Sequence, residues 1–156
     1  MPLPVSDGFV TQIFGPTAEP LDSGGVNKGV DIAVPTGTPV AAVTGGVVVV
    51  AGADNSGWGT RVVIRDEQGY MHNYGHLSAV NVKPGQTVQS GAIIAKSGNT
   101  GASTGAHLSY DVANPRGQYI DPSPWVGFQA SGDNRTWQPQ RLTAIAGGSG
   151  ATTMAG

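Results

Sequence analysis

Gly29-Val30-Asp31-Ile32-Ala33-Val34-Pro35-Thr36-Gly37-Thr38-Pro39-Val40 decides the fold of this chain. Val30 to Val34 is a short β-rich run. Pro35-Thr36-Gly37 ends it with turn chemistry, and Pro39 to Val43 starts a second run. The pattern repeats outward on both sides. Phe9 to Phe14 is a first strand closed by Gly15-Pro16, and residues 16–28 lack periodicity and read as an exposed loop. Beyond Gly45-Gly46, Val47 to Ala51 is a β-branched run expected to be buried on both faces. Thr60 to Arg65 alternates, and Asp66-Glu67-Gln68-Gly69 turns the chain into Tyr70 to Tyr74. Val80 to Val88 and Gly91 to Lys96 are two more strands around a Pro-Gly turn, and Leu108 to Ala113 is the last. No segment sustains a 3.6-residue period, so an all-β sandwich or barrel-like body is expected.

The chain has 156 residues, which suits one domain with a real core. There is no cysteine, which excludes disulfides and thiolate metal sites. A net charge of −2 with 12% charged residues lacks the basic footprint of a nucleic-acid binder. Met1-Pro2-Leu3-Pro4-Val5-Ser6-Asp7-Gly8 has neither a basic nor an apolar leader region, so no signal peptide is expected. The longest apolar run, Val47 to Ala51, is too short to span a bilayer. Gly147 to Thr153 reads as a linker-like, mobile tail. Residues 124–146, with Trp125, Phe128, Trp137, Leu142 and Ile145, carry enough apolar surface to pack on the body or a partner.

Six blocks occur in order: Val10 to Gly15, Gly29 to Val40, Gly45 to Ile64, Tyr74-Gly75-His76-Leu77-Ser78, Val82 to Gly91, and Gly98 to Gly105 followed by His107. In this order they resemble the lysostaphin/LytM-type zinc endopeptidases, which cut peptidoglycan cross-bridges. The resemblance implies a compact antiparallel β-sheet domain, barrel-like and of the duplicated hybrid motif type, over residues 1–126. Residues 127–156 would be an irregular C-terminal extension. A groove would lie on one sheet. In active relatives, a His and an Asp from a His-x-x-x-Asp segment and the second His of His-x-His hold zinc, and two more histidines assist.

Carried onto this sequence, only Asp31 matches a metal ligand. Asn27 stands at the first lost His position and Ser109 at the second. A neutral amide and a short hydroxyl are poor zinc donors beside imidazole. His76 and His107 match the two assisting histidines. Trp58, Tyr74 and Tyr110 are candidate aromatic groove walls, and Asn99 and Thr100 sit in a polar loop that is a candidate substrate contact. For each, ordinary strand packing or turn chemistry is the alternative. His72, Tyr74 and His76 are spaced to share one strand face. The expected function is therefore a catalytically degenerate endopeptidase-like module without a cofactor. It would bind peptidoglycan or other proteins of a larger assembly, with a cell-wall-facing or virion-associated location such as a phage tail. The alternative is an active peptidoglycan metallo-endopeptidase with an altered zinc site.

Overall fold

Turn glycines cut the chain into short strands, and one sheet gathers nearly all of them. The structure is a computed structural model that describes residues 2–17 and 25–146. Most of the expected loop at 16–28, and the tail at Gly147 to Thr153, lie outside the described residues. The strands are β1 (Phe9–Gln12), β2 (Gly15–Pro16), β3 (Val26–Asn27), β4 (Val30–Ala33), β5 (Pro39–Ala41), β6 (Gly46–Ala53), β7 (Thr60–Arg65), β8 (Met71–Val80), β9 (Thr87–Val88), β10 (Ile93–Ser97), β11 (His107–Ala113), β12 (Tyr119–Ile120) and β13 (Gln140–Arg141). A single helical turn, α1 (Ser123–Val126), follows β12. The main sheet runs β13-β1-β4-β11-β8-β7-β6-β9, with β10 pairing both β5 and β8. Its pairings are antiparallel, and the sheet does not close into a barrel. Among the described residues, no helix is long and apolar enough to cross a membrane.

Alternation along the central strands separates two faces. Val30, Ile32, Leu108, Tyr110, Val112, Val62, Ile64 and Tyr74 point into the core, and none is accessible to solvent. The opposite face of β4, β11 and β8 carries Asp31, Ser109, Asp111 and Asn73. Val47 to Ala51 departs from its expected double burial. Only Val48 is buried, because β6 lies next to the end of the sheet with the two-residue β9 beyond it.

Residues 124–146 pack on the body. Val126, Phe128, Ala130 and Leu142 belong to the same core as the central strands. β13 pairs with the free edge of β1, and Trp137 Nε1 donates to Val10 O at 3.0 Å. Asn134 accepts from Ile13 N at 2.8 Å and donates to Ile13 O at 2.6 Å, clamping the turn between β1 and β2.

His72 and Tyr74 share one strand face, as their spacing implies, and it is the core face. Both are fully buried in the core. Tyr74 OH accepts from Val43 N at 2.8 Å, which satisfies its hydroxyl away from solvent. His72 sits between Tyr110 OH at 2.8 Å and Asp66 Oδ2 at 2.8 Å. Burial holds its pKa below the ordinary histidine value, against the opposing pull of Asp66. A neutral ring in the fold faces an unfolded chain that takes up its proton near pH 6.5. Acid therefore favours unfolding, and the stabilisation present above that pH is lost as pH falls through the folded value. His76 shifts in the same direction, so it adds to the slope. We expect denaturant midpoints to fall between about pH 7 and pH 5, and His72→Gln to flatten that slope. An unchanged slope in the variant would remove His72 as a source.

Candidate functional site

The groove on the polar face of β4, β11 and β8 has a volume of about 510 Å³. Asp31, Asn27, Ser109, Trp58, His76 and His107 all line it, so the strands bring together six of the residues expected from the sequence. A larger depression of about 730 Å³, between Ile13 and Trp137, contains none of those residues.

Register explains the arrangement. Ser109 lies opposite Asp31 in β4 and opposite Gly75 in β8. Alternation then places His107 and Asp111 on the same face as Ser109. His76 arrives there differently. One extra residue of β8 fits between the pairs Thr60–Leu77 and Val62–Tyr74, and His76 has a φ of 61°. This bulge turns His76 onto the groove face, whereas strict alternation would send it inward with Tyr74. The imidazole is held in that position, its Nδ1 donating to Thr100 O at 2.7 Å. His107 Nδ1 donates to Gly105 O at 2.8 Å. Both rings thus keep Nε2 for the groove, and their centroids are 4.6 Å apart. Burial and the neighbouring His107 hold His76 below the ordinary histidine range, and the Thr100 carbonyl opposes them.

Four of the groove expectations are corrected. Tyr74 and Tyr110 are not groove walls, because both rings lie on the core face and are fully buried. Asn99 is exposed and outside the groove lining. Thr100 stands behind the groove. Its hydroxyl donates to Leu77 O at 2.7 Å and accepts from Thr60 N at 3.1 Å, while its carbonyl fixes His76. Thr100 is thus a positioning residue for His76.

Asp111 is the groove residue that the sequence reading missed. Its spacing of two from Ser109 and four from His107 on one strand was the available signal. Asn73 Nδ2 donates to Asp111 Oδ2 at 3.0 Å, and Arg61 Nη1 donates to Asn73 Oδ1 at 3.3 Å. Burial and the charge of Asp31 push the Asp111 carboxyl up to about 7, against hydrogen bonds from Asn73, Ser109 and Trp58. Two glycines make room here. A Cβ on Gly29 would strike the Asp111 carboxylate and Tyr110 O. A Cβ on Gly75 would strike the Trp58 ring, which lies flat over it. Gly75→Ala is expected to displace Trp58 and cost about 1–3 kcal/mol. Unchanged Trp58 fluorescence and stability would contradict that packing.

The two positions that the sequence reading aligns with zinc-binding histidines of the family are tied into the protein itself. Asn27 Nδ2 donates to Ile13 O at 3.0 Å and to Gly29 O at 2.7 Å. Ser109 Oγ donates to Asp31 Oδ1 at 3.1 Å and lies 3.4 Å from Asp111 Oδ2.

Residues 25–122 match the sequence profile of peptidase family M23. The chain belongs to that family. It is 37% identical over 126 residues to lysostaphin of Staphylococcus simulans, covering 75% of this chain and 25% of that protein. It also superposes on the lysostaphin catalytic domain from Staphylococcus simulans with a TM-score of 0.70 at 35% identity, covering 77% of this chain and 90% of that one. A zinc-containing peptidase from Vibrio cholerae matches with a TM-score of 0.68 at 32% identity, covering 76% and 37% of the two chains. This chain spans between 20% and 34% of the length of the curated relatives it matches. The M23 assignment makes zinc the expected cofactor, and the residues present here do not fit it. Among the described residues, no three His, Cys, Asp or Glu side chains converge to hold an ion. The Asn27 amide directs its protons to two carbonyls, and the Ser109 hydroxyl directs its own to Asp31.

Proposed function

We propose that this M23 domain is catalytically degenerate and grips an extended peptide of the cell wall without cutting it. Its relatives include lysostaphin and a glycyl-glycine endopeptidase. One observation carries the reading. Both side chains at the lost zinc positions spend their hydrogen-bonding groups inside the protein, so the groove is built to be complete without a metal. A recognition surface persists beside them. Two imidazole Nε2 atoms accept peptide N–H groups, Asp31 and Asp111 supply negative charge, and Trp58 supplies an aromatic wall. Few polar groups on an aromatic-walled cleft suit an oriented extended ligand. A domain that holds the wall without cleaving it suits a larger wall-facing assembly, and we place it in such a particle, of which a virion or phage tail is the clearest case.

The test is sedimentation of the purified protein with insoluble peptidoglycan, with released amino groups and zinc measured in parallel. We expect co-sedimentation, no new amino groups and less than one zinc per chain. Tightly held stoichiometric zinc, with amino-group release abolished by a chelator, would instead establish an active metallo-endopeptidase. The retention of His76 and His107 on the groove face is the observation that keeps this second reading in view.

A further inference from the structure

The groove has a cation already seated at one end, and it belongs to the chain itself. Trp58 and Tyr119 form a tilted pair with ring centroids 5.9 Å apart. Lys28 Nζ lies 5.8 Å from the Trp58 centroid and 5.3 Å from that of Tyr119. Both distances fall within the range in which an ammonium is attracted by an aromatic face. The ion pairs found among the described residues involve Arg61, His72, Arg135 and Arg141 but not Lys28. The two ring faces are the contacts this ammonium makes among the described residues.

The two rings are held by their neighbours. Trp58 rests on Gly75 and carries the Arg61 guanidinium 5.1 Å from its centroid. Tyr119 is carried by β12, which pairs with β11. The backbone on either side of Lys28 is pinned through Asn27, whose amide binds Ile13 O and Gly29 O. From that backbone the four-carbon side chain of Lys28 carries its ammonium to the rings. Lys28, Trp58, Asp31 and Asp111 line one groove, and Tyr119 stands against Trp58 at its end, so two carboxyl groups share the groove with the place where a ligand's positive end would settle.

We propose that the Trp58–Tyr119 pair is a subsite for the primary ammonium group of a peptide, which Lys28 occupies in the free chain and gives up when the ligand's amine enters. The proposal deepens the wall-peptide reading above, because it assigns one end of the bound peptide. Lys28 acts as an internal competitor. Its occupancy lowers the apparent affinity for an external amine by the fraction of chains in which the rings are free. A ligand amine outcompetes it because the rest of that peptide also lies along the groove, where Lys28 has nothing further to offer.

The probes are triglycine amide, which carries a backbone amine, and Nα-acetyl-lysine amide, which carries a side-chain amine. Their fully N-acetylated counterparts are neutral controls. Binding is followed by nuclear magnetic resonance at the Trp58 indole N–H, assigned by its loss in Trp58→Phe. We expect the free amines to shift this signal and the acetylated ones to leave it in place. Lys28→Gln is expected to raise the affinity about threefold to tenfold, the range for rings occupied most of the time by the internal lysine. Tyr119→Leu is expected to weaken binding about fivefold or more. Unchanged Trp125 and Trp137 indole signals show that each variant is folded. The probe with the stronger response assigns the source of the amine. An equal response to acetylated probes, or unchanged or weaker binding in Lys28→Gln, would overturn the proposal, as would no response in either protein. Failure of wall sedimentation with the amine response intact would remove the wall reading alone. Wall sedimentation that persists without any amine response would remove the subsite alone.

Discussion

A chain ending at Val126 is expected to be unfolded at room temperature, and this is the largest loss we foresee. The deleted segment supplies core as well as surface. Leu142 and Ala130 are fully buried and Phe128 nearly so. Burying a leucine or phenylalanine contributes about 1.5–3 kcal/mol each, and a whole domain is stable by only about 5–15 kcal/mol. Deletion also strips partners from the first strands. Phe14 N would lose Ala130 O at 2.8 Å, and Ile13 would lose both Asn134 contacts at 2.8 and 2.6 Å. Each buried polar group left unpaired costs a further 1–3 kcal/mol or about that. Leu142→Ala provides the graded version and should cost about 3 kcal/mol. Circular dichroism during denaturant unfolding checks both. A shortened chain with an unchanged cooperative midpoint would show that residues 127–146 merely rest on the body.

Restoring imidazole at both altered positions should produce the largest gain. Asn27→His combined with Ser109→His is expected to raise zinc content to about one ion per chain, since catalytic zinc sites use three protein donors and Asp31 is already in place. Either change alone leaves two donors and should bind little. The surroundings favour the residue at 109. Its strand neighbours are Asp31 and Gly75, and the Asp111 carboxyl lies beside it. Metal-bound imidazoles commonly donate their other N–H to such a carboxylate. The residue at 27 costs more, because its amide bonds to Ile13 O and Gly29 O disappear. Ile13 O keeps Asn134 Nδ2 at 2.6 Å, which limits the penalty. Any recovery of endopeptidase activity should be partial, since the neighbours that orient metal-bound imidazoles must also be in place. Elemental analysis of the double variant decides the first point. Zinc-free double variant would mean that more than ligand identity has drifted.

Much of the strand succession was legible because glycines and prolines punctuate the sequence at the turns, but Val80 to Val88 is not one strand: Val80 ends β8 and only Thr87–Val88 is extended beyond the Pro84-Gly85 turn. Asp31, His107 and Ser109 came from the resemblance, and the period of two along β11 then places His107 and Ser109 on one face. His76 was placed correctly only through the resemblance. Strict alternation puts it beside Tyr74, and nothing in Tyr74-Gly75-His76 announces that a histidine will adopt a φ of 61°. Tyr74 and Tyr110, candidate groove walls on residue type alone, both face inward, and alternation from Ser109 already puts Tyr110 on the face opposite the groove. Asp111 was readable from its spacing but had no catalytic motif to draw attention to it. Lys28 and Tyr119 are 91 residues apart in a chain of 156 and meet only through folding.

The pairing of β1 with β13 also bears on how the molecule is made. Phe9 lies opposite Arg141 at nearly the far end of the described chain. During synthesis β1 emerges early, and its partner on one side, β4, follows once residues 13–29 have been made. The other edge stays bare until Gln140 and Arg141 have left the ribosome. An unpaired edge bearing Phe9 is a template for another chain. Sheet completion therefore waits for Gln140 and Arg141, and it joins segments far apart in sequence, which makes it slow. The interval in which nascent chains are exposed to mutual pairing is set by the time needed to make the last strand.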